Sequence, residues 1–296
     1  MVRFGVVLPI AQEDGQSAPP AWSEIRAVAV AAEAARFDSI WVYDHLLFRF
    51  DGETTGIHEA WTVLTAAAAV TTAPDLGILV MATEYRNPAL LAKMAATLDH
   101  VSDGRLILGI GCGWHDPEYE AFGYPTDHKV GRFEEAIGII GPLLRGERVT
   151  LAGSYYQVRD AVLRPPPDRP IPILVAAQGR RMLRLTARYA DAWNTAWFGL
   201  PDDLLHRRLA ELHAALEDEG RDPATLRRTV GMEVWDPDTT GPGEDLGEAF
   251  GGSVDELARA IDAHERLGFD DLIVQLAPKT TRSLDRLAEA LELRAH

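Results

Sequence analysis

Short apolar segments alternate with amphipathic helical segments along the whole chain, and this alternation constrains the fold more than any other feature. The apolar segments are rich in β-branched residues, as buried strands are, and lie at residues 3–9, 39–44, 75–81, 105–111, 171–177, 191–197, 228–235 and 270–276. The segments between them repeat apolar residues at helical spacing, at residues 22–36, 59–72, 88–101, 130–145, 179–189, 201–219, 253–267 and 281–293. Eight strands alternating with eight helices predict an α/β fold of the (β/α)8 type, a TIM barrel, as a single domain over residues 1–296.

A doubly wound sheet is the alternative fold for such an alternation. Its dinucleotide fingerprint would follow the first strand, where this chain has a loop containing Gly, Pro and Ser at residues 9–20. Residues 146–170 do not fit the simple count, because two short β-like runs surround Gly153 and a proline-rich return follows. We expect this segment to be an insertion between the fourth and fifth βα units. Residues 235–252 are expected to form a second long loop, after the seventh strand.

Composition excludes several classes of partner. The chain has 29 Lys and Arg against 45 Asp and Glu, a net charge of −16, and such a surface disfavours nucleic acid and anionic lipid. The single cysteine, Cys112, excludes an internal disulfide and fits a reducing cytoplasm. The start of the sequence lacks an export signal, and the most apolar stretch, residues 60–70, is too short to span a bilayer. We therefore expect a cytoplasmic protein that acts on a small molecule, with a homodimer as a compatible assembly.

In a TIM barrel the loops that follow the strands form the active site, so residues at strand ends are the candidates. Asp44 and His45 end the second strand, and an Asp–His pair there could orient a proton donor or steer a hydride-transfer site, because histidine titrates near neutrality. A strand-end cap is an equally good interpretation of this pair. The third strand ends in Leu79 and Val80, followed by Thr83, and apolar residues there suit a flat ring. Plain core packing is the simpler reading of these three.

Two further strand ends carry unusual residues. The fourth strand runs into Gly111, Gly113 and Trp114, where the glycines permit close approach of a ligand and the indole could form a wall. A tight turn explains the glycines but not the tryptophan. The fifth strand runs through Ala176, Ala177 and Gln178 into a helix that opens at Gly179 and Arg180. That helix N-terminus could bind a phosphate, and a solvated helix face is the alternative.

A metal site is not indicated. The chain has no HExxH motif and no His-x-His after the first strand, and its nine histidines are scattered. The pairs His115-Asp116 and His58-Glu59 are expected to be surface pairs.

Taken together, these stretches resemble the luciferase-like monooxygenase superfamily, and in particular its deazaflavin-dependent branch. The similarity covers nearly the whole chain, including WVYDH at residues 41–45 and IPILVAAQGRRMLRLTARYADAWNT at residues 171–195. It is most specific in the central block at residues 76–123, which contains RNPALLAKMAATLDHVSDGRLILGIGCGW. The resemblance implies a TIM barrel with an insertion segment, an isoalloxazine-like ring at the barrel mouth, and a non-proline cis peptide at Leu79–Val80.

The resemblance also implies roles for the strand-end residues. Asp44 and His45 match a pair beside the ring, the Gly111 to Trp114 loop matches one along the cofactor, and residues 176–180 match the phosphate-binding turn. The chain departs from the family's sugar-phosphate dehydrogenase, which carries a glutamate as proton partner where Trp114 stands. Acid–base chemistry is therefore assigned to His45. Aromatic side chains indicate an apolar or aromatic substrate pocket, with packing as the alternative; they are Phe48, Tyr85, Trp114 and Trp197.

Three functions follow from this reading. The first is an oxidoreductase that transfers a hydride between deazaflavin coenzyme F-420 and a small apolar or aromatic substrate. The second is an FMN-dependent monooxygenase of the same fold, fed by a separate flavin reductase. The third is a barrel that binds a flavin without turnover. The WVYDH and GCGW segments favour the first, and the intact Asp44-His45 pair disfavours the third.

Overall fold

The computed structural model describes residues 2–13, 15–239 and 249–294. Its strands are β1 (Arg3–Val7), β2 (Ser39–Val42), β3 (Phe48–Phe50), β4 (Glu53–Thr55), β5 (Asp75–Ile78), β6 (Met81–Ala82), β7 (Leu106–Gly111), β8 (Val149–Ala152), β9 (Gln157–Ala161), β10 (Ile173–Ala176), β11 (Ala192–Phe198), β12 (Arg227–Trp235) and β13 (Asp271–Ala277). Its α-helices are α1 (Trp22–Ala34), α2 (Ala60–Ala68), α3 (Pro88–Val101), α4 (Asp116–Phe122), α5 (Lys129–Leu144), α6 (Arg180–Tyr189), α7 (Asp203–Asp218), α8 (Val254–Arg266) and α9 (Thr281–Arg294). Short 3-10 turns lie at Thr83–Tyr85 and Pro223–Thr225.

Eight parallel strands of the described chain close into a barrel. They follow the order β1, β2, β5, β7, β10, β11, β12 and β13, and β13 pairs back onto β1. The pairing of β7 with β10 completes the ring, which a doubly wound sheet would leave open. β6 continues the third barrel strand beyond β5. The predicted TIM barrel is therefore confirmed.

Two apolar layers hold the barrel together. One fills its interior and consists of Val7, Trp41, Leu79, Leu174, Ala192 and Ile273. The other lies between the strands and the surrounding helices, because alternate strand residues face outward and meet the apolar faces of those helices. Side chains that lie two positions beyond the interior layer on a strand therefore face the C-terminal mouth of the barrel.

At most helix ends, the observed boundary lies within two residues of the predicted one, because helix caps are encoded locally. Asn87, for example, accepts hydrogen bonds from the backbone N–H groups of Ala89 and Leu90 at 3.0 and 3.2 Å, and Pro88 occupies the first helical turn. The short helix α4 is not among the predictions.

The two irregular segments have different outcomes. Residues 146–170 contain the antiparallel hairpin of β8 and β9 and an extended return to β10. The second long loop, residues 235–252, includes residues 240–248, which lie outside the described part of the chain. In the described part, no helix combines the length and the apolar character needed to cross a bilayer.

Candidate active site

A cavity of about 550 Å³ opens at the C-terminal mouth of the barrel. Strand-end residues from five neighbouring barrel strands line it. From the predicted set these are Asp44, His45, Leu79, Val80, Gly111, Gly113, Trp114, Ala176, Ala177, Gln178 and Trp197. Unpredicted residues also line it, namely Ala82, Cys112, Glu118, Met182, Asn194, Thr195 and Ala196. The structure thus brings together four strand ends that the sequence singled out separately.

A bulge in the third barrel strand lies at the cavity. The register shifts from Gly77↔Ile107 to Met81↔Ile110, which leaves one extra residue on the bulged strand. The Leu79–Val80 peptide within it is cis, as the resemblance implies. On the neighbouring strand β7, a Cβ at Gly109 would lie 1.8 Å from the carbonyl oxygen of Ile78, so only glycine permits the two backbones to come this close. The bulge therefore depends on a glycine of the neighbouring strand.

A second irregularity on β11 completes the other side of the cavity. The register of β11 against β12 shifts between Thr195 and Phe198, and the Ala196–Trp197 peptide is also cis. Ala196 and Trp197 both line the cavity. The hydroxyl oxygen of Thr195 is buried there without a hydrogen-bond partner in the described chain. The cavity wall therefore contains a polar group that a ligand could satisfy.

Asp44 ties two strand ends together. It is buried, and its carboxylate accepts hydrogen bonds from both terminal nitrogens of Arg86, at 2.8 and 3.2 Å, and from the backbone N–H of Ala82 at 3.2 Å. Burial raises the pKa of Asp44, and the Arg86 guanidinium opposes that rise. Arg86 also bridges to Glu59, which caps α2. Asp44 thus fixes the backbone beside the bulge, and its side-chain hydrogen bonds in the described chain go to Arg86 and Ala82, not to His45.

The partner of His45 is Glu118, on α4. The His45 Nδ1 lies 2.8 Å from Glu118 Oε1, and the backbone N–H of Leu46 donates to Glu118 Oε2 at 2.7 Å. Burial alone would raise the pKa of Glu118, but hydrogen bonds from His45 and Leu46 outweigh it and lower that pKa. An ionised Glu118 only accepts, so His45 Nδ1 carries the proton of this bond and Nε2 is the nitrogen left for a ligand.

Sequence reasoning missed Glu118 and treated its neighbourhood as surface. His115 was expected in a surface pair, but it is buried, and its Nε2 accepts a hydrogen bond from the backbone N–H of Arg49 at 3.0 Å. Burial lowers the pKa of His115 accordingly. The sequence did not predict the burial of His115 and Glu118 because α4 folds back onto the segment after β2. These contacts join residues more than 65 positions apart, and no local pattern encodes them. His58, by contrast, lies at the surface and contacts the carbonyl oxygen of Pro20.

The predicted aromatic set divides into two groups. Phe48 packs beside His45 with ring centroids 4.5 Å apart, and Trp114 stacks near Phe50 at 6.3 Å while remaining 62% exposed. Trp114 and Trp197 line the cavity, whereas Phe48 does not line it and lies next to His45. We call Phe48, Trp114 and Trp197 the aromatic rim. Tyr85 does not reach the cavity. It packs against Tyr119 and Tyr124 at 4.8 and 4.9 Å, because the 3-10 turn after β6 directs it beneath α4.

The predicted phosphate turn lies at one end of the cavity. Gly179 precedes α6 with a φ of +74°, a conformation that favours glycine, and no side chain caps the helix. Gln178 and Met182 line the cavity, whereas Gly179 and Arg180 lie beyond its lining residues. The Arg180 side chain is largely exposed and reaches Asp218 at 3.5 Å.

Thr83 lies beneath the cavity rather than in its wall, since its hydroxyl donates to the carbonyl oxygen of Gly111 at 3.3 Å. Gly113, in the loop after β7, must be glycine for two reasons. Its φ is +65°, and a Cβ there would lie 1.7 Å from the hydroxyl oxygen of Tyr119. Among the described residues, no group of three or more His, Cys, Asp or Glu side chains is arranged to hold a metal ion.

Known proteins similar to this chain include several oxidoreductases. A family model described as luciferase-like monooxygenase matches residues 2–239. The chain is 37% identical over 264 residues to a phthiodiolone/phenolphthiodiolone dimycocerosates ketoreductase of Mycobacterium sp. (strain JLS), covering 82% of this chain and 67% of that protein. It is 35% identical over 277 residues to an F-420-dependent glucose-6-phosphate dehydrogenase of Beutenbergia cavernae, covering 90% of this chain and 76% of that protein. The chain spans 63% of the length of the ketoreductase of Mycobacterium tuberculosis (strain H37Rv).

A solved structure supports the same fold. The structure of an F-420-dependent secondary alcohol dehydrogenase, in complex with an F-420–acetone adduct, superposes with a TM-score of 0.80 at 18% sequence identity and covers 99% of both chains. At this identity the likeness concerns the fold alone.

Proposed function

The chain belongs to the luciferase-like monooxygenase family, and on that basis we propose that it is an oxidoreductase that uses deazaflavin coenzyme F-420 to transfer a hydride to or from a small organic substrate. The observation that carries this proposal is the His45–Glu118 pair, which leaves His45 Nε2 for a ligand in a cavity of about 550 Å³. A cavity of that size lies within the usual range for small-molecule sites. A histidine beside an apolar wall is suited to proton transfer to or from a substrate oxygen.

The cavity fits a flat tricyclic cofactor. Leu79 and Val80 of the bulge offer an apolar surface to one ring face, and the unpaired Thr195 hydroxyl offers a hydrogen bond to a polar ring edge. The uncapped N-terminus of α6 presents free backbone N–H groups, which suit the phosphate of the cofactor side chain. When bound, F-420 supplies a ring carbon that accepts or donates a hydride.

The residues of the chain would supply orientation and proton transfer. His45 Nε2 would accept the hydroxyl proton of an alcohol substrate, or return a proton to the oxygen of a carbonyl substrate in the reverse direction. Glu118 would hold the imidazole in the required tautomer and stabilise its protonated form, since it accepts from Nδ1. Asp44 and Arg86 would keep the strand end in place, which makes Asp44 a positioning residue.

The rim of Phe48, Trp114 and Trp197 would contact the apolar part of the substrate. Trp114 is the most exposed of the three, and its burial by a substrate of apolar or aromatic character would exclude water from the reacting atoms.

Turnover measurements test this proposal against its alternatives. Purified protein is mixed, without oxygen, with reduced F-420 and a panel of ketones, and with oxidised F-420 and the matching secondary alcohols. We expect the F-420 absorbance to change at a rate that depends on the organic substrate. Oxygen-dependent consumption of reduced FMN, without any F-420 turnover, would instead identify a monooxygenase that needs a separate flavin reductase. Cofactor binding without turnover of either would identify a non-catalytic barrel.

A further inference from the structure

A half-buried polar cluster lies on the side of the barrel mouth opposite the bulge. We call it the Lys279 cluster; it consists of Glu13, Tyr43, Glu233, Gln275 and Lys279. β12 is the fourth strand from β5 in either direction around the ring of eight, so the two face each other across the barrel. Ile273 belongs to the interior layer, and Gln275 is two residues beyond it on the same face. Glu233 is the direct neighbour of Gln275 in the register.

Hydrogen bonds and charge hold the Lys279 cluster together. Gln275 Nε2 donates to Glu233 Oε1 at 2.8 Å, and Lys279 Nζ lies 2.9 Å from Glu13 Oε1. Only 9% of the Lys279 side chain is exposed. Burial would lower the pKa of Lys279, but the phenol of Tyr43 and the two glutamates outweigh it and raise that pKa. Lys279 is therefore a buried ammonium, with three N–H donors and one carboxylate at hydrogen-bond distance.

The Lys279 cluster borders the candidate active site. The ring of Tyr43 lies 6.2 Å from that of His45, centroid to centroid. On the other side, Gly231 lies two residues before Glu233 on the same face of β12, and a Cβ there would be 2.5 Å from the indole of Trp197. Both His45 and Trp197 line the cavity. None of the five cluster residues lines the cavity itself, so the cluster lies next to the cavity, adjacent to His45 and Trp197. A substrate whose far end extends from the cavity towards β12 would reach it.

Structural stabilisation alone is a poor explanation for the Lys279 cluster. Burying an ammonium and carboxylates costs desolvation energy that apolar residues of the same size would avoid. Other ion pairs of the barrel, such as Arg86–Asp44 and Arg227–Asp271, use the bidentate geometry of arginine. Lys279 is one of three lysines among 29 basic residues. Its ammonium has three N–H donors, of which one is directed to Glu13 in the described chain, so further donors can bind a ligand.

The charge balance limits what the cluster can bind. One ammonium faces two glutamates, so the cluster carries no excess positive charge for a phosphate or a carboxylate. The next cations along the chain, Arg282 and Arg286, both lie within 4 Å of Asp236, at 3.6 and 3.9 Å. An uncharged hydroxyl, in contrast, can accept from Lys279 and donate to a glutamate, and an uncharged carbonyl can accept from Lys279.

We propose that the Lys279 cluster binds an uncharged polar group at the end of the substrate remote from the reacting carbon, and so selects neutral hydroxylated ketones or alcohols over phosphorylated ones. This inference rests on the proposed function, because it assigns the second half of the same site. It gives the substrate an apolar body, which contacts the aromatic rim, and a neutral polar end.

Three ketones that differ only in a remote substituent test the proposal: cyclohexanone, 4-hydroxycyclohexanone and 4-oxocyclohexyl phosphate. Their KM and kcat are measured with reduced F-420 for the wild type and for Lys279→Met. The double variant Glu13→Gln/Lys279→Met leaves no unpaired buried charge at that pair and guards against misfolding. Lys93→Met, on α3 and remote from the mouth, is the matched control. The Kd for F-420 is measured for each protein by fluorescence.

In the wild type we expect the lowest KM for the hydroxylated ketone and the highest for the phosphate. Both Lys279 variants are expected to raise the KM for the hydroxylated ketone about tenfold or more, as loss of a hydrogen bond to a charged group does, with the KM for cyclohexanone and the Kd for F-420 unchanged. Normal F-420 binding with unaltered discrimination among the ketones in the variants would overturn the role of the cluster alone, as would a wild-type preference for the phosphate. Absence of F-420 binding in the wild type would overturn the proposed function and this inference together.

Discussion

Replacing Glu118 with glutamine tests whether this residue positions His45. The carboxylate accepts from His45 Nδ1 at 2.8 Å and from the Leu46 backbone N–H at 2.7 Å. A glutamine can place its single carbonyl oxygen opposite one of these donors, and its NH₂ group then faces the other. One charge-assisted hydrogen bond is lost, which is worth about 1.5–3 kcal/mol. Because about 1.4 kcal/mol corresponds to a factor of ten in rate, Glu118→Gln should lower kcat about 10- to 150-fold.

The assay is single-turnover reduction or oxidation of F-420 by stopped-flow absorbance, recorded as a function of pH. Glu120→Gln is the matched control, since Glu120 lies on the same helix, is exposed, and makes the same change in charge. We expect the Glu118 variant to retain its Kd for F-420 and to show an altered pH profile, because the imidazolium loses its ionised partner. Histidine ¹⁵N NMR should show a change of the His45 tautomer. A wild-type rate and pH profile in Glu118→Gln, in a folded protein, would refute the reasoning.

Three further predictions concern proton transfer, the bulge and a buried carboxyl. His45→Ala should lower kcat about 10²- to 10⁴-fold, the usual contribution of general acid–base catalysis, with little change in the Kd for F-420. Gly109→Ala should lower the melting temperature and weaken F-420 binding, because its Cβ would lie 1.8 Å from the Ile78 carbonyl oxygen; Gly138→Ala, in the interior of α5 with no atom within 4 Å of the new Cβ, should instead stabilise the protein by about 1 kcal/mol. Burial raises the pKa of Glu84 from 4.5 to about 7. The folded state therefore keeps a proton that the unfolded chain releases, so the free energy of unfolding should fall by about 2.5 kcal/mol as pH rises from 5 to 8 in urea titrations. Glu84→Gln should remove that part of the pH dependence.

Each of these predictions has a contradicting result. Turnover by His45→Ala at the wild-type rate would remove the proton-transfer role. A Gly109→Ala protein as stable as Gly138→Ala would show that the strand approach at the bulge tolerates a side chain. An identical pH dependence of unfolding for wild type and Glu84→Gln would show that Glu84 does not carry the proton.

The fold was predictable because its determinants are local. Strand and helix periodicity, together with caps such as Asn87, decide the elements, and a closed parallel barrel is the arrangement that eight βα units adopt. The candidate site was predictable to the extent that the barrel brings strand ends together. Asp44, His45 and Gly111 were found in this way. The cis peptide at Leu79–Val80 followed from family resemblance and not from any property of the two residues themselves.

The rest of the site depends on tertiary contacts that the sequence pattern does not carry. Glu118 lies on a seven-residue helix that faces the cavity because it packs against the loop after β2, where Leu46 donates a hydrogen bond to Glu118. Ala196 lines the cavity where the register of β11 against β12 is irregular, and the sequence pattern does not show this irregularity. Tyr85 was expected in the substrate pocket because it is aromatic, but its ring packs against Tyr119 and Tyr124 instead. Glu118 lies 73 residues from His45 in the sequence, so sequence spacing alone would not have distinguished it from the other acidic residues as the partner of that histidine.

Parallel equilibrium binding of F-420 and FMN to the purified protein tests the proposal that the barrel mouth binds coenzyme F-420 for hydride transfer. Fluorescence titrations at the same salt and pH give both dissociation constants, and competition between the two ligands shows whether they share one site. We expect saturable binding of F-420 that is clearly tighter than that of FMN. Tight binding of FMN with no binding of F-420 would contradict it.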